Sequence, residues 1–156
     1  MTGYVRKAEP KDAIHLSKIM RKEDIDEIMT SHGVKPLAGL LSSFSLKNSQ
    51  VYTMIGTNKK CIGMFGVSDC PFVKGYGVVW MLSSDDLLAD ARQFIKECRK
   101  WVDKLNDKYE VIYNWVHPEN WKTLKWLQFC GFEPKLKHKY GIKDEEFLLV
   151  MRQKNV

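Results

Sequence analysis

Few side chains in this sequence carry ready chemistry, and most of them lie in its second half. His117 is an imidazole on a predicted loop, and that group titrates in the range a general base needs. A surface loop histidine with no chemical role is the plainer reading. Ser83-Ser84-Asp85-Asp86-Leu87 stands where a helix is expected to open, so its backbone amides can meet an anion. The same residues also read as a helix cap, Ser83 or Ser84, followed by Asp85 and Asp86 set favourably against the helix dipole. Two carboxylates there repel phosphate charges, each by about 1 kcal/mol or more at contact even in water. Lys135, Lys137, His138, Lys139 and Lys143 surround Tyr140 and Gly141 in a basic segment that attracts phosphates. It lacks the Arg-rich runs and aromatic interleaving of nucleic-acid grooves and alternates with Leu136 and Tyr140, so we read a solvated hairpin and expect no nucleic-acid partner. Cys61, Cys70, Cys98 and Cys130 form no C-x-x-C pair and no tight Cys/His spacing. Neither a metal site nor a disulfide framework is expected, and buried free thiols are the default.

The elements that position these residues follow from periodicity. A short strand over Tyr4–Lys7 precedes Pro10, which suits a first helical turn because its missing N–H is unneeded there. Ala13, Leu16, Ile19 and Met20 recur at helical spacing, and a second helix carries Ile25, Ile28 and Met29 on one side with acids between, ending at Gly33. A short helix over Leu37–Leu46 ends in a turn at Asn48-Ser49. Val51–Gly56 and Cys61–Val67 read as a hairpin joined by Thr57-Asn58-Lys59-Lys60. Gly77–Leu82 is apolar throughout, as a central strand covered on both faces must be. Leu87, Leu88, Ala91, Phe94, Ile95, Cys98, Trp101, Val102 and Leu105 then mark one face of a long helix. Tyr109–Val116 is the next strand, parallel to the previous one through that helix. Pro118 and Asn120 open a helix carrying Trp121, Leu124 and Leu127 inward, Gly131 ends it, and Phe132–Tyr140 with Phe147–Arg152 closes as a hairpin.

With 156 residues, 44% hydrophobic, 28% charged and 12% aromatic, the chain is long and apolar enough to fold around a core of its own. No repeat or linker interrupts it, so a single domain over 1–156 is expected. Its longest apolar run, Val78–Leu82, is far short of the ~20 residues of a membrane helix, and no signal-peptide core is present. A cytoplasmic protein without membrane contact is expected. The net charge is +6, and residues from Trp121 onward hold eight Lys/Arg against four Asp/Glu, so the excess is concentrated there.

The order strand, helices, three strands, helix, strand, helix, two strands resembles the GNAT (Gcn5-related N-acetyltransferase) fold across nearly the whole chain. Tyr4-Val5-Arg6-Lys7-Ala8 with Glu9-Pro10-Lys11-Asp12 looks like the opening of many members. Asn120 through Phe132 looks like their "N-x-x-x-x-x-x-[YF]-x-x-x-G-F" helix and turn. Val79-Trp80-Met81-Leu82-Ser83 before a basic amphipathic helix, Tyr113-Asn114-Trp115-Val116, and Trp126-Leu127-Gln128-Phe129-Cys130-Gly131 are most similar to a divergent group of small GNAT-like proteins of short-tailed bacteriophages. Some of that group are named internal virion proteins.

This resemblance implies an α/β (α+β) fold: a single mixed central sheet flanked by helices, with the fourth and fifth strands splayed around acetyl-CoA. It implies an acetyl-CoA-dependent N-acetyltransferase acting on a protein or small-molecule amine, or else a non-catalytic GNAT-fold protein in virion assembly or host-protein binding. The cofactor would lie along Met81, Leu82, Ser83 and Ser84 and meet Asn120, Lys122 and Lys125, while His117 and Asn120 would stand at the chemistry. Asn120 reads equally as a helix N-cap, and Lys122 and Lys125 as a solvated face. Two departures bear on activity. The family's "[RQ]-x-x-G-x-[GA]" phosphate loop is replaced by Ser83-Ser84-Asp85-Asp86-Leu87-Leu88-Ala89, and the tyrosine that protonates the departing thiol is Leu127, leaving Tyr113 or Tyr140 as substitutes.

Overall fold

The computed structural model describes residues 3–154, with the backbone alone for residues 88–91 and 93. In chain order the elements are β1 (Tyr4–Lys7), α1 (Pro10–Ile19), α2 (Lys22–His32), α3 (Pro36–Ser43), β2 (Gln50–Ile55), β3 (Cys61–Asp69), β4 (Tyr76–Ser83), α4 (Ala91–Asn106), β5 (Val111–Val116), α5 (Trp121–Phe129), β6 (Glu133–Tyr140) and β7 (Glu145–Gln153). The strands make one seven-stranded sheet in the order β1-β2-β3-β4-β5-β7-β6. All neighbours are antiparallel except β4 and β5, whose parallel pairing through α4 is what the sequence predicts.

The apolar run of β4 occupies mid-sheet because it is covered twice. Val79 and Met81 pack with Phe94, Cys98, Val102 and Leu105 of α4, whereas Trp80 and Leu82 pack with Ala13, Leu16 and Leu40 beneath α1 and α3. Side chains alternate between strand faces, so one continuous run serves both layers. Of the predicted inward face of α4, Ile95 is instead 45% exposed, and the side chains of Leu88 and Ala91 lie outside the described residues. Gly33 ends α2 in the left-handed conformation (φ 68°), donating to Ile28 and Met29, and Gly131 (φ 95°) follows α5 as expected.

The start of α4 differs from the sequence reading. Neither Ser83 nor Ser84 caps it; a 3-10 turn over Asp85–Asp90 comes first and the helix opens at Ala91. The reason is local bonding. Ser83 is the last residue of β4, and the Ser84 hydroxyl is directed at β3, donating to the Ile62 carbonyl (3.0 Å).

β4 and β5 pair only from Tyr76–Val78 to Val111–Tyr113, yet β4 runs on to Ser83 and β5 to Val116. Beyond Val78 the two strands no longer hydrogen-bond to one another, and β5 keeps β7 as its partner through Val116. This parting in mid-sheet positions the site.

Candidate functional site

Residues of α2 and of the turn before it meet β4 and the end of β5 where the two strands part. Met20 forms an isolated antiparallel bridge with Ser84, and the Arg21 amide donates to the Ser83 carbonyl (2.8 Å). The Ser83 amide donates to Asp24 Oδ2 (2.9 Å). Because the Ser84 amide donates to Ile62 of β3 (2.9 Å), the neighbouring Ser83 amide and carbonyl point the other way, along the edge of β4 that faces β5. That edge is thus taken by the chain's own α1–α2 junction. Arg21 also pairs with Asp24 (2.9 Å), which is only 4% exposed.

One turn further on, Glu27 holds the end of β5. Its Oε1 accepts from the His117 amide and its Oε2 from Asn120 Nδ2, both at 3.0 Å. Asp24 and Glu27 share a helix face at i, i+3 and so reach the two diverging strands together. Burial raises the pKa of both carboxyls, outweighing Arg21 beside Asp24 and the two donors on Glu27; the charge of Asp24 raises Glu27 further. The sequence sets acidic residues among Ile25, Ile28 and Met29 and assigns them no role. The spacing of Asp24, Ile28 and Ser31, which continues one stripe into the protein, is the signal that marks them.

His117 and Asn120 meet at Glu27, and Ser83 meets Asp24. Asn120 starts α5 but makes no side-chain cap bond; its Nδ2 donates instead to Glu27. His117 Nδ1 accepts from the Glu119 amide (3.2 Å), which puts the ring proton on Nε2, 3.6 Å from Glu145 Oε2; the ring stands edge-on to Phe147. In that tautomer the neutral ring has no free lone pair for a substrate proton. Met81 and Leu82 lie on opposite faces of β4. Lys122 and Lys125 are exposed on α5, with Lys122 Nζ 5.8 Å from the Trp121 ring centroid. Leu127 packs against the α4-side core. Of the two tyrosines, Tyr113 donates to Cys70 Sγ (3.1 Å) and Tyr140 stacks on Trp115 at 5.1 Å.

At the expected anion end, the Ser84 amide is bonded to Ile62 and the Leu87 amide to Ser84 (3.2 Å), while Asp85 and Asp86 are exposed. No group of three or more His, Cys, Asp or Glu able to hold a metal occurs among the described residues. None of the described helices is long and apolar enough to cross a membrane.

Comparison with solved structures assigns the fold. A spermidine N-acetyltransferase SpeG chimera from Vibrio cholerae and hSSAT superposes with a TM-score of 0.67 at 13% identity, over 98% of this chain and 96% of that one. AAC(6')-Ib in complex with ribostamycin and coenzyme A gives 0.69 at 16%, over 98% and 94%. A GNAT-family acetyltransferase from Streptococcus pneumoniae gives 0.65 at 15%, over 98% and 99%. The fold is therefore that of the GNAT acetyltransferases, a mixed sheet flanked by helices. A comparison with curated proteins gives no match. Residues 51–136, more than half the chain, match the model of one family, and on that ground the chain belongs to the family described as Bacteriophage T7, probable scaffold protein Gp13.

Proposed function

We propose that this chain is a non-catalytic GNAT-fold protein that binds other proteins during phage particle assembly, acting as one domain over residues 1–156 in the cytoplasm of the infected cell. The observation that carries this reading is the filled edge of β4, where Asp24 and Arg21 hold the Ser83 amide and carbonyl. A coenzyme A arm laid along that edge has to displace both. The phosphate end fits the cofactor no better. Phosphates bind where helix amides are free, whereas here the Ser84 and Leu87 amides are satisfied internally and Asp85 and Asp86 repel anions. As folded, then, the cofactor does not fit, and no chemical step is assigned to it. The scaffold description of the family supports a protein partner. Acetyl-CoA titrated to millimolar concentration, followed by tryptophan fluorescence and by melting temperature, should shift neither; a saturable shift would overturn the proposal.

A second reading is acetyl transfer from acetyl-CoA to an amine of a protein or small molecule, and the parting of β4 from β5 favours it. It draws on Met81, Leu82, Ser83, Ser84, Asn120, Lys122 and Lys125 for the cofactor and on His117 and Asn120 at the reacting groups. For this reading the α1–α2 junction must leave β4. Asp24→Ala, which loosens that junction, should then create or strengthen acetyl-CoA binding; an unchanged absence of binding removes the reading.

A further inference from the structure

Two of the four cysteines face each other away from the parted strands. Cys98 lies on α4 and Cys130 caps the end of α5, and their sulfurs are 3.3 Å apart, with the Cys130 thiol donating to Cys98. We propose that Cys98 and Cys130 form a dithiol site that closes to a disulfide, tying α5 to α4, in the presence of a small-molecule disulfide such as oxidised glutathione. The geometry supplies three conditions. The two sulfurs already point at one another, and a bond of about 2.05 Å requires only a modest approach. One partner is on an element able to make it: no residue of α5 is fully buried, and the helix is held by Leu124, Trp126 and Leu127 at the margin of the core. The third is a nucleophile. The Cys130 thiol, and with it the Trp126 side chain, stabilises the Cys98 thiolate and brings that thiol down to about 7. By contrast burial pushes Cys61 up to about 11; Cys70 is lowered, desolvation being outweighed by the Tyr113 hydroxyl and backbone bonds, but its sulfur meets that hydroxyl and not a second thiol.

The exchange balances as two displacements. The Cys98 thiolate attacks the oxidant's S–S bond, leaving a mixed disulfide and releasing one glutathione thiolate. Cys130, on losing its proton, displaces the second glutathione and forms the Cys98–Cys130 bond. Two protein thiols lose two protons and two electrons, and one glutathione disulfide becomes two thiols. Since Cys98 is 8% exposed and Cys130 is fully buried, the reaction needs α5 to open locally and is expected to be slow. Closure removes a loop of the unfolded chain, so the oxidised protein should melt roughly 5–10 °C higher.

The full folded chain is incubated with millimolar oxidised glutathione at about pH 8, where the Cys98 thiol ionises. Acid quenching is followed by thiol counting in denaturant and by peptide mapping. The count should fall from four free thiols to two, with the intact mass lower by two hydrogens and one peptide pair linked through Cys98 and Cys130. Cys61→Ala and Cys70→Ala should keep the link and the rise in melting temperature, and Cys98→Ala should lose both. The linked peptide of the unsubstituted chain decides the matter even where Cys98→Ala folds poorly. Four thiols persisting under these conditions, or a stable glutathione adduct on Cys98 beside a free Cys130, would overturn the proposal.

Discussion

Glu27 accepts one bond from a backbone amide and one from a side chain, so its removal strands two donors at the end of β5. Glu27→Ala should destabilise by about 2–3 kcal/mol, and Asn120→Ala by about 1 kcal/mol, in urea denaturation. The double variant should fall short of the sum, because the bond between them is lost once in either single variant. The carboxyls also differ in the sign of their pH dependence. Burial raises Asp24 and Glu27, so the folded chain holds their protons more tightly than the unfolded one; that contribution is full below the ordinary carboxylate range and is lost as pH rises through their folded values. Asp12 runs the other way. Burial opposes its ionisation, but bonds from Arg6 (2.8 Å), the Glu9 amide and the Thr53 hydroxyl outweigh it and the net pKa is lowered. Its contribution is present above the unfolded value, about 4, and is lost as pH falls through the folded one. Stability measured between about pH 3 and 7 should therefore show the deficit of Asp12→Asn growing with pH and that of Glu27→Gln shrinking. Parallel deficits for the two variants would contradict this assignment.

At the scale of elements, the tip of the β6–β7 hairpin is docked on the end of α2. The Ile142 amide donates to the Ser31 carbonyl (3.1 Å), His32 stands edge-on to Tyr140, and Gly141 (φ 80°) lies flat against Ser31. A Cβ on Gly141 meets Ser31 backbone at 2.7 Å, which cannot yield, whereas one on Gly33 meets the end of the exposed Ile142 side chain, which can. Both positions are left-handed, so alanine at either carries about 1 kcal/mol of backbone strain. Gly141→Ala should exceed Gly33→Ala by about 1–2 kcal/mol in denaturant unfolding, and equal losses would mean that the tip is not held there. At the opposite end of the sheet, fully buried Arg152 of β7 joins α4 and α5, donating to the Cys130 carbonyl and Asn106 Oδ1 (both 2.8 Å) and pairing with Asp103. Arg152→Ala strands those acceptors and should cost about 3–5 kcal/mol.

At the scale of the whole molecule, the positive excess of the residues from Trp121 onward is not gathered on the β6–β7 hairpin. Residues 133–146 contain Lys135, Lys137, Lys139 and Lys143, balanced by Glu133, Asp144, Glu145 and Glu146. The fold sets these charges side by side: Lys139 lies across from Glu146, and Lys135 pairs with Glu133 at 3.0 Å. Lysines on an edge strand also discourage pairing with another sheet. Gel shift with duplex DNA should therefore show no retention at about 0.15 M salt, and salt-sensitive retention would restore a nucleic-acid role for this edge.

Much of this architecture is legible in the sequence because it depends on local rules. The 3.6 and 2.0 periods, proline at the start of α1, glycine after α2 and α5, and the unbroken apolar run of β4 follow from backbone sterics and burial, and they suffice to give the order of strands and helices. The same residues give the absence of a glycine loop and of a tyrosine at position 127. Only the tertiary structure decides what occupies the parting between β4 and β5. Asp24 and Glu27 look solvated by their neighbours in sequence, and become buried acceptors because α2 is folded over strand ends some sixty and ninety residues away. The meeting of Cys98 with Cys130 is decided the same way, by the packing of α5 on α4. Periodicity reports which face of an element is apolar; which polar group comes to face which strand edge depends on long-range contacts that no local pattern encodes.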